Sequence, residues 1–272
     1  MTPFPNIRGV IGVVHLPPLP GDPRHDGAQT FRDVEAFALR DADALTKGGV
    51  DAILIENFGS APFSKGTQGA RLPPHEVATL AIVAREIAHA TSLPVGVNCL
   101  RNDAISSLGI AAAAGLSFIR VNVHVGAYVT DQGVIEGEAD QSLRYRRSLG
   151  AQSVAILADV LVKHATPLAH VDPTRATHDT LERGLADAVV VTGEATGISV
   201  DVSRLRAVHD AAGAAPIFIG SGLTPQTASR LCSLADGAIV GTYVKHHGDV
   251  RQPVDVARVR ELVEATRGQW RK

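Results

Sequence analysis

Eight short apolar runs, each followed by a stretch of helical character, constrain this chain more than any other feature. They are VIGVVH at 10–15, DAILIE at 51–56, PVGVN at 94–98, FIRVN at 118–122, VAILAD at 154–159, DAVVVT at 187–192, IFI at 217–219 and AIV at 238–240. Runs this short and continuous mark parallel strands buried on both faces, since a solvated face would put a polar residue at every second position. Strand then helix, eight times over, leaves about 34 residues per unit, enough for one right-handed crossover each. Such a ring closes at eight. The expectation is therefore a single (β/α)8 TIM barrel occupying 1–272 as one domain, with an open doubly wound sheet as the competitor. Helices are expected near 31–47, up to 89, and over 104–114, 140–149, 174–184, 202–212, 225–234 and 254–267.

Composition agrees with this. Aromatics make up only 4% of the chain against 45% for the AVILMFWYC set, so aliphatic side chains must build the core. Twenty-six basic and 28 acidic residues give a net charge of −2 and no basic surface for nucleic acid. Cys99 and Cys232 stand far apart without ligand-like spacing and read as buried thiols of a reducing compartment. No apolar run approaches a membrane span and no signal pattern opens the chain, so a soluble cytoplasmic protein is expected.

Strands 7 and 8 end in the same way. IFI stops at Gly220-Ser221-Gly222 and AIV stops at Gly241-Thr242. Two neighbouring strand ends that each carry glycine and a hydroxyl residue leave backbone N–H groups bare, and in this fold a phosphate is gripped after strands 7 and 8. Thr224-Pro225 then starts a helix, threonine at the N-cap and proline at the first helical position. After strand 6, the turn Gly193-Glu194-Ala195-Thr196-Gly197 places Gly197 as a third phosphate-facing amide and Glu194 toward the ligand. Ordinary strand-end glycines would leave the same sequence trace.

The other strand ends form a polar ring: His15, Glu56-Asn57, Asn98, Asn122 with His124, Asp159 and Thr192. Active sites of barrels are built at these ends, by the loops that follow the strands. Glu56 and Asp159 fit a separated acid/base pair or a shared divalent cation; carboxylates tied to neighbouring amides are the structural alternative. No cofactor is otherwise implied. Lys163-His164, just past strand 5, can neutralise a phosphate or stabilise an enolate, with the histidine shuttling protons, unless they form a plain solvated loop. Arg120 lies inside an otherwise apolar strand, where it needs a partner, and alternation puts it on the same side as Asn122. A lumen ion pair with Glu56 or Asp159 would account for it. Asp103 is placed to cap the next helix, which leaves Arg101 free to reach an anion. Asp51, Asp187 and Asp236 recur before strands 2, 6 and 8, a trace either of half-barrel duplication or of the shared needs of a helix-to-strand turn. The long loop after strand 2 has no helical periodicity and fits a lid or an oligomer contact.

These pieces together resemble one family. HLPPLPGDP, IENFGSAPF, PVGVNCLRND, FIRVNVHVGAYVTDQGVIEG, LRYRRSLGA, ADVLVKHATPL, VTGEATG and VGTYVKHHG are similar to segments of the BtpA/SgcQ family over about 9–263, departing mildly at Pro17-Pro18 and Gly59-Ser60. The resemblance implies a TIM barrel related to ribulose-phosphate-binding barrels. One branch is associated with photosystem I biogenesis as a membrane-peripheral protein, and the other lies among sugar-metabolism genes as a presumed enzyme. Two expectations follow. The first is an isomerase, lyase or hydrolase acting on a phosphorylated sugar or nucleoside-type molecule. Gly197, Ser221, Gly222, Gly241 and Thr242 would hold the phosphate, with Glu56 and Asp159 as acid and base. Lys163 and Arg120 would meet anionic charge, and Asn98 and Asn122 would orient hydroxyls. The second is a non-catalytic assembly factor. Either is compatible with a homo-oligomer.

Overall fold

Side chains alternate across a strand, so each apolar run sends one half of its residues into the centre of a ring and the other half toward the helices around it. The computed structural model describes residues 7–193 and 195–271. In chain order it runs β1 (Gly9–His15), α1 (Phe31–Gly48), β2 (Ala52–Glu56), α2 (Pro74–Ala90), β3 (Val95–Asn98), α3 (Ala104–Ala114) and β4 (Phe118–Val121). The strands β5 (Ala127–Thr130) and β6 (Gly133–Glu136) then precede α4 (Ala139–Ser148), β7 (Ala155–Val160) and β8 (Ala165–Pro167). After α5 (Pro173–His178) come β9 (Ala188–Val191), α6 (Val202–Ala212), β10 (Ile217–Ile219), α7 (Pro225–Leu231), β11 (Gly237–Val240) and α8 (Val256–Thr266).

Eight strands pair in parallel as a closed barrel, β1-β11-β10-β9-β7-β4-β3-β2. Closure excludes the open sheet, and all eight expected runs are barrel strands. The lumen holds Ile11, Val13, Leu54, Phe118, Leu157, Val190, Phe218 and Ile239. The alternate residues, among them Ile53, Ile55, Val97, Ile119 and Val189, pack under the helices. No helix among the described residues is long and apolar enough to cross a membrane.

The recurrent aspartates lie at the barrel's lower rim. Asp51, Asp187 and Asp236 each precede a strand and accept an N–H from the first two residues of the strand beside it: Val10 at 2.7 Å, Ile156 at 2.8 Å and Ile217 at 2.9 Å. One physical need at three turns accounts for their recurrence. Asp103 caps α3 as expected, accepting from the Ser106 N–H at 2.9 Å. Both cysteines are free and buried.

Two features differ from the sequence reading. The segment after β4 is a hairpin, β5 and β6, and β8 joins it in a three-stranded antiparallel sheet, β6-β5-β8. Gly133, at φ 91°, makes the turn, and Tyr128, Ile135, Val123 and Val162 give this sheet its own small core. The α5 helix also ends early, passing into a wider turn over Asp179–Arg183. One unexpected tie closes the ring. Lys245, fully buried after β11, donates to Asp41 of α1 at 2.7 Å, and the second oxygen of Asp41 accepts the Val254 N–H at 3.1 Å.

Candidate active site

The alternation that fills the lumen also fixes its top layer. Continuing inward from Val13, Leu54, Leu157 and Val190 come His15, Glu56, Asp159 and Thr192, and β3 and β4 add Asn98 and Asn122; all six are buried. Arg120 stands one layer lower, 3% exposed. Its Nε and Nη2 donate to the two oxygens of Asp159, both at 2.9 Å, and Nη1 donates to Glu56 Oε1 at 3.3 Å. Thus Arg120 makes the expected lumen ion pair with both carboxylates at once. Consequently a guanidinium lies between Glu56 and Asp159, the carboxylates read above as an acid/base pair or as holding a shared cation. Asn98 and Asn122 are likewise engaged: the Asn98 amide donates to Glu56 Oε1 at 2.8 Å and that of Asn122 to Asp159 Oδ2 at 3.1 Å. Their amides position the carboxylates.

Burial alone would raise the Glu56 pKa, but the contact with His15 and the Arg120 charge outweigh it and hold Glu56 at about 2. The His15 Nε2 lies 3.6 Å from Glu56 Oε2. Burial lowers the His15 pKa despite that neighbour, which favours the neutral ring. Burial first, then the facing Arg120 charge, brings Lys163 down to about 8, with Glu56 and Asp159 opposing.

Lys163 is held by its backbone. Its N–H donates to Thr192 Oγ1 at 2.9 Å, and its carbonyl accepts from Arg101 Nη2 at 2.7 Å. Leu161 and His164, on either side, take positive φ of 52° and 55°, an uncommon backbone for residues other than glycine. The Lys163 ammonium has no hydrogen bond or ion pair among the described residues. Arg101, expected to be free, is 5% exposed and anchors this loop. His164 is exposed, its Nε2 3.2 Å from Thr196 Oγ1. His124 leaves the ring altogether: its Nε2 lies 2.8 Å from the Gly184 carbonyl, away from the mouth.

Two cavities meet at Lys163. One, of about 190 Å³, lies over the ends of β10 and β11 and is lined by Gly197, Gly220–Thr224, Gly241 and Thr242. The five residues expected to grip a phosphate are therefore brought together on one wall. Three of them also serve the fold. The Ser221 hydroxyl donates to the Ile198 carbonyl at 3.0 Å and accepts the Gly193 N–H at 2.8 Å, so it ties down the β9–α6 loop. A Cβ on Gly241 would stand 2.3 Å from the His15 ring, and one on Gly222, at φ 69°, would stand 2.3 Å from the Ser199 backbone. Close packing, beyond any ligand, demands glycine there. Glu194 lies outside the described residues.

The second cavity, of about 400 Å³, is lined by Arg101, Asn98, Asn122, Asp131 of the β5–β6 turn, and Phe58 and Phe63 of the loop after β2. That loop folds over the mouth and stacks Phe58 on His15 at 4.6 Å between ring centroids. Glu56, Arg120, Lys163, Phe58 and Thr196 line both cavities. Sequence reasoning did not single out Arg258 of α8, which stacks on Tyr243 at 4.3 Å and adds a cation to the wall beside Thr242. Only its place in the N-terminal turn of the last helix hinted at this.

The profile of the BtpA family matches residues 6–268. The photosystem I biogenesis protein BtpA of Synechocystis sp. is 46% identical over 262 residues, covering 96% of this chain and 89% of that protein. The sgc region protein SgcQ of Escherichia coli is 30% identical over 257 residues, covering 94% of this chain and 93% of its own length. Among solved structures, the phosphoribosyl anthranilate isomerase of Thermus thermophilus superposes with a TM-score of 0.54 at 14% identity, covering 94% of this chain and 97% of that one. At that identity the likeness is one of fold.

Proposed function

This chain belongs to the BtpA family, and from its barrel mouth we propose an enzyme that isomerises or cleaves a phosphorylated, sugar-like substrate through an enediolate. One observation carries the reading: Lys163, its backbone clamped and its ammonium unpaired, stands where the grip cavity opens into the charged one. A phosphate on the wall of Gly222, Gly241 and Thr242, with Arg258 beside it, directs the attached carbon chain over Lys163. The amine of Lys163, available near neutral pH because its pKa is about 8, takes the proton next to the carbonyl. Arg120 and Arg101 face the oxygen that gathers charge. Glu56, at about 2, stays a carboxylate through the working range and holds Arg120 and His15 in place. Glu56, held as a carboxylate, does not serve as the protonated acid of a hydrolase, which favours isomerase or lyase.

The test is a thermal-shift screen of sugar phosphates against the same sugars unphosphorylated. A ligand at a hundred times its Kd adds about 2.7 kcal/mol, roughly 5–10 °C in a domain this size. Thr242→Glu, which sets a carboxylate in the grip, should abolish the shift. Binders should then exchange a carbon-bound proton in D2O, seen by NMR, and Lys163→Met should stop the exchange. Failure of every phosphorylated compound to bind would sink the reading. A second reading, an assembly factor, is favoured by the name of the Synechocystis relative. It expects a partner's binding to survive Lys163→Met unchanged.

A further inference from the structure

Behind the loops of the mouth, Asp22, His75 and Glu76 offer three donor atoms that all lie within 4.8 Å of one another. Asp22 ends a turn after β1, and His75 and Glu76 sit in the first turn of α2. Asp22 and Glu76 are 8% and 6% exposed. Asp22 and His75 are the charged neighbours that act most strongly on Glu76. Arg71, the arginine of the loop leading to α2, is paired with Asp103 and Glu138. Two buried carboxylates at this range repel unless something positive lies between them.

The imidazole points the same way. His75 Nε2 is buried without a hydrogen-bond partner and faces the turn, 3.2 Å from where a Cβ on Gly21 would stand. Ser60, 4% exposed, also faces Glu76 with its hydroxyl. A buried ring nitrogen left unbonded is costly, and a cation held by all three residues removes that cost and the repulsion together. Each carboxylate gives one oxygen to the protein: Asp22 Oδ2 accepts the Leu19 N–H at 2.6 Å, and Glu76 Oε2 accepts from Asn57 Nδ2 at 2.9 Å. These bonds orient the donors as the outer shell of a metal site does.

We propose that Asp22, His75 and Glu76 bind one divalent first-row transition-metal ion that staples the loop after β1 to the start of α2. One imidazole and two carboxylates suit Zn2+ or Mn2+ better than Ca2+ or Mg2+, which prefer oxygen alone. The staple lies one residue behind the mouth, because Asn57, which donates to Glu76, directly follows Glu56 and also bonds both the N–H and the carbonyl of Leu100. The proposal stands apart from the barrel-mouth chemistry.

Protein dialysed against Mn2+ should retain one ion per chain by elemental analysis. Its electron spin echo modulation should carry coupling to an imidazole nitrogen. His75→Gln and Asp22→Asn should each lose the ion while circular dichroism stays that of the parent, and Glu56→Gln should keep it. A parent chain that holds no Mn2+ or Zn2+ at micromolar free metal overturns the proposal, whatever the variants do. So does nitrogen coupling that persists in His75→Gln.

Discussion

Among the described residues the Lys163 ammonium has no hydrogen bond or ion pair while its backbone is bonded on both sides, and that combination is what a proton-transferring amine needs. Its lowered pKa has a sign that can be worked through. The folded chain gives up the proton at about 8, the unfolded chain near 10.5. The cost to stability is therefore fully present below about pH 8 and fades as pH rises toward 10.5. Lys163→Met should accordingly raise the melting temperature at pH 7 while lowering kcat/KM at least about 100-fold, the scale of general base catalysis. In the parent, kcat/KM should climb through pH 8; a flat profile there would remove Lys163 as the base. Lys163 could be named from sequence as a lysine near a strand end. Its freedom could not, because Thr192 and Arg101, which hold it, lie 29 and 62 residues away.

Among the elements, the β6-β5-β8 sheet was missed although its hairpin turn, Asp131-Gln132-Gly133, is a recognisable signal. The eight-fold strand–helix period masks a second, antiparallel one nested in a single loop. That sheet matters to the site, since β8 follows Lys163 directly and Asp131 lines the charged cavity. The tie between α1 and the segment before α8 was also invisible, as Lys245 and Asp41 are 204 residues apart. Breaking a fully buried pair leaves an uncompensated charge. Lys245→Met should cost about 3–5 kcal/mol by urea denaturation. Replacing both partners, Asp41→Leu with Lys245→Met, should recover much of the loss, and no recovery would mean the bond to Val254 N–H is the larger part.

For the molecule as a whole, Arg120 joins β2, β4 and β7 across the lumen, and this cross-tie should govern acid stability. Glu56 titrates at about 2 when folded, against 4.5 as a free side chain. Its contribution, about 3 kcal/mol at most, is present above pH 4.5 and lost as pH falls from 4.5 toward 2. Urea midpoints at pH 5, 4 and 3 should fall steeply in the parent and less steeply in Glu56→Gln; equal slopes would place the acid sensitivity elsewhere. What the sequence determined alone was the periodic part. Apolar runs set eight strands, their spacing favoured a barrel over an open sheet, and a two-residue alternation put Glu56, Asn98, Arg120, Asn122 and Asp159 on its inner side. Closure decided the rest. Bringing β2, β4 and β7 around one lumen turned three separate charges into a single ion cluster. It also seated His15 against Gly241, just past β11, and left the Lys163 ammonium with no ion pair among the described residues, because pairing depends on distances across the ring that no spacing along the chain records.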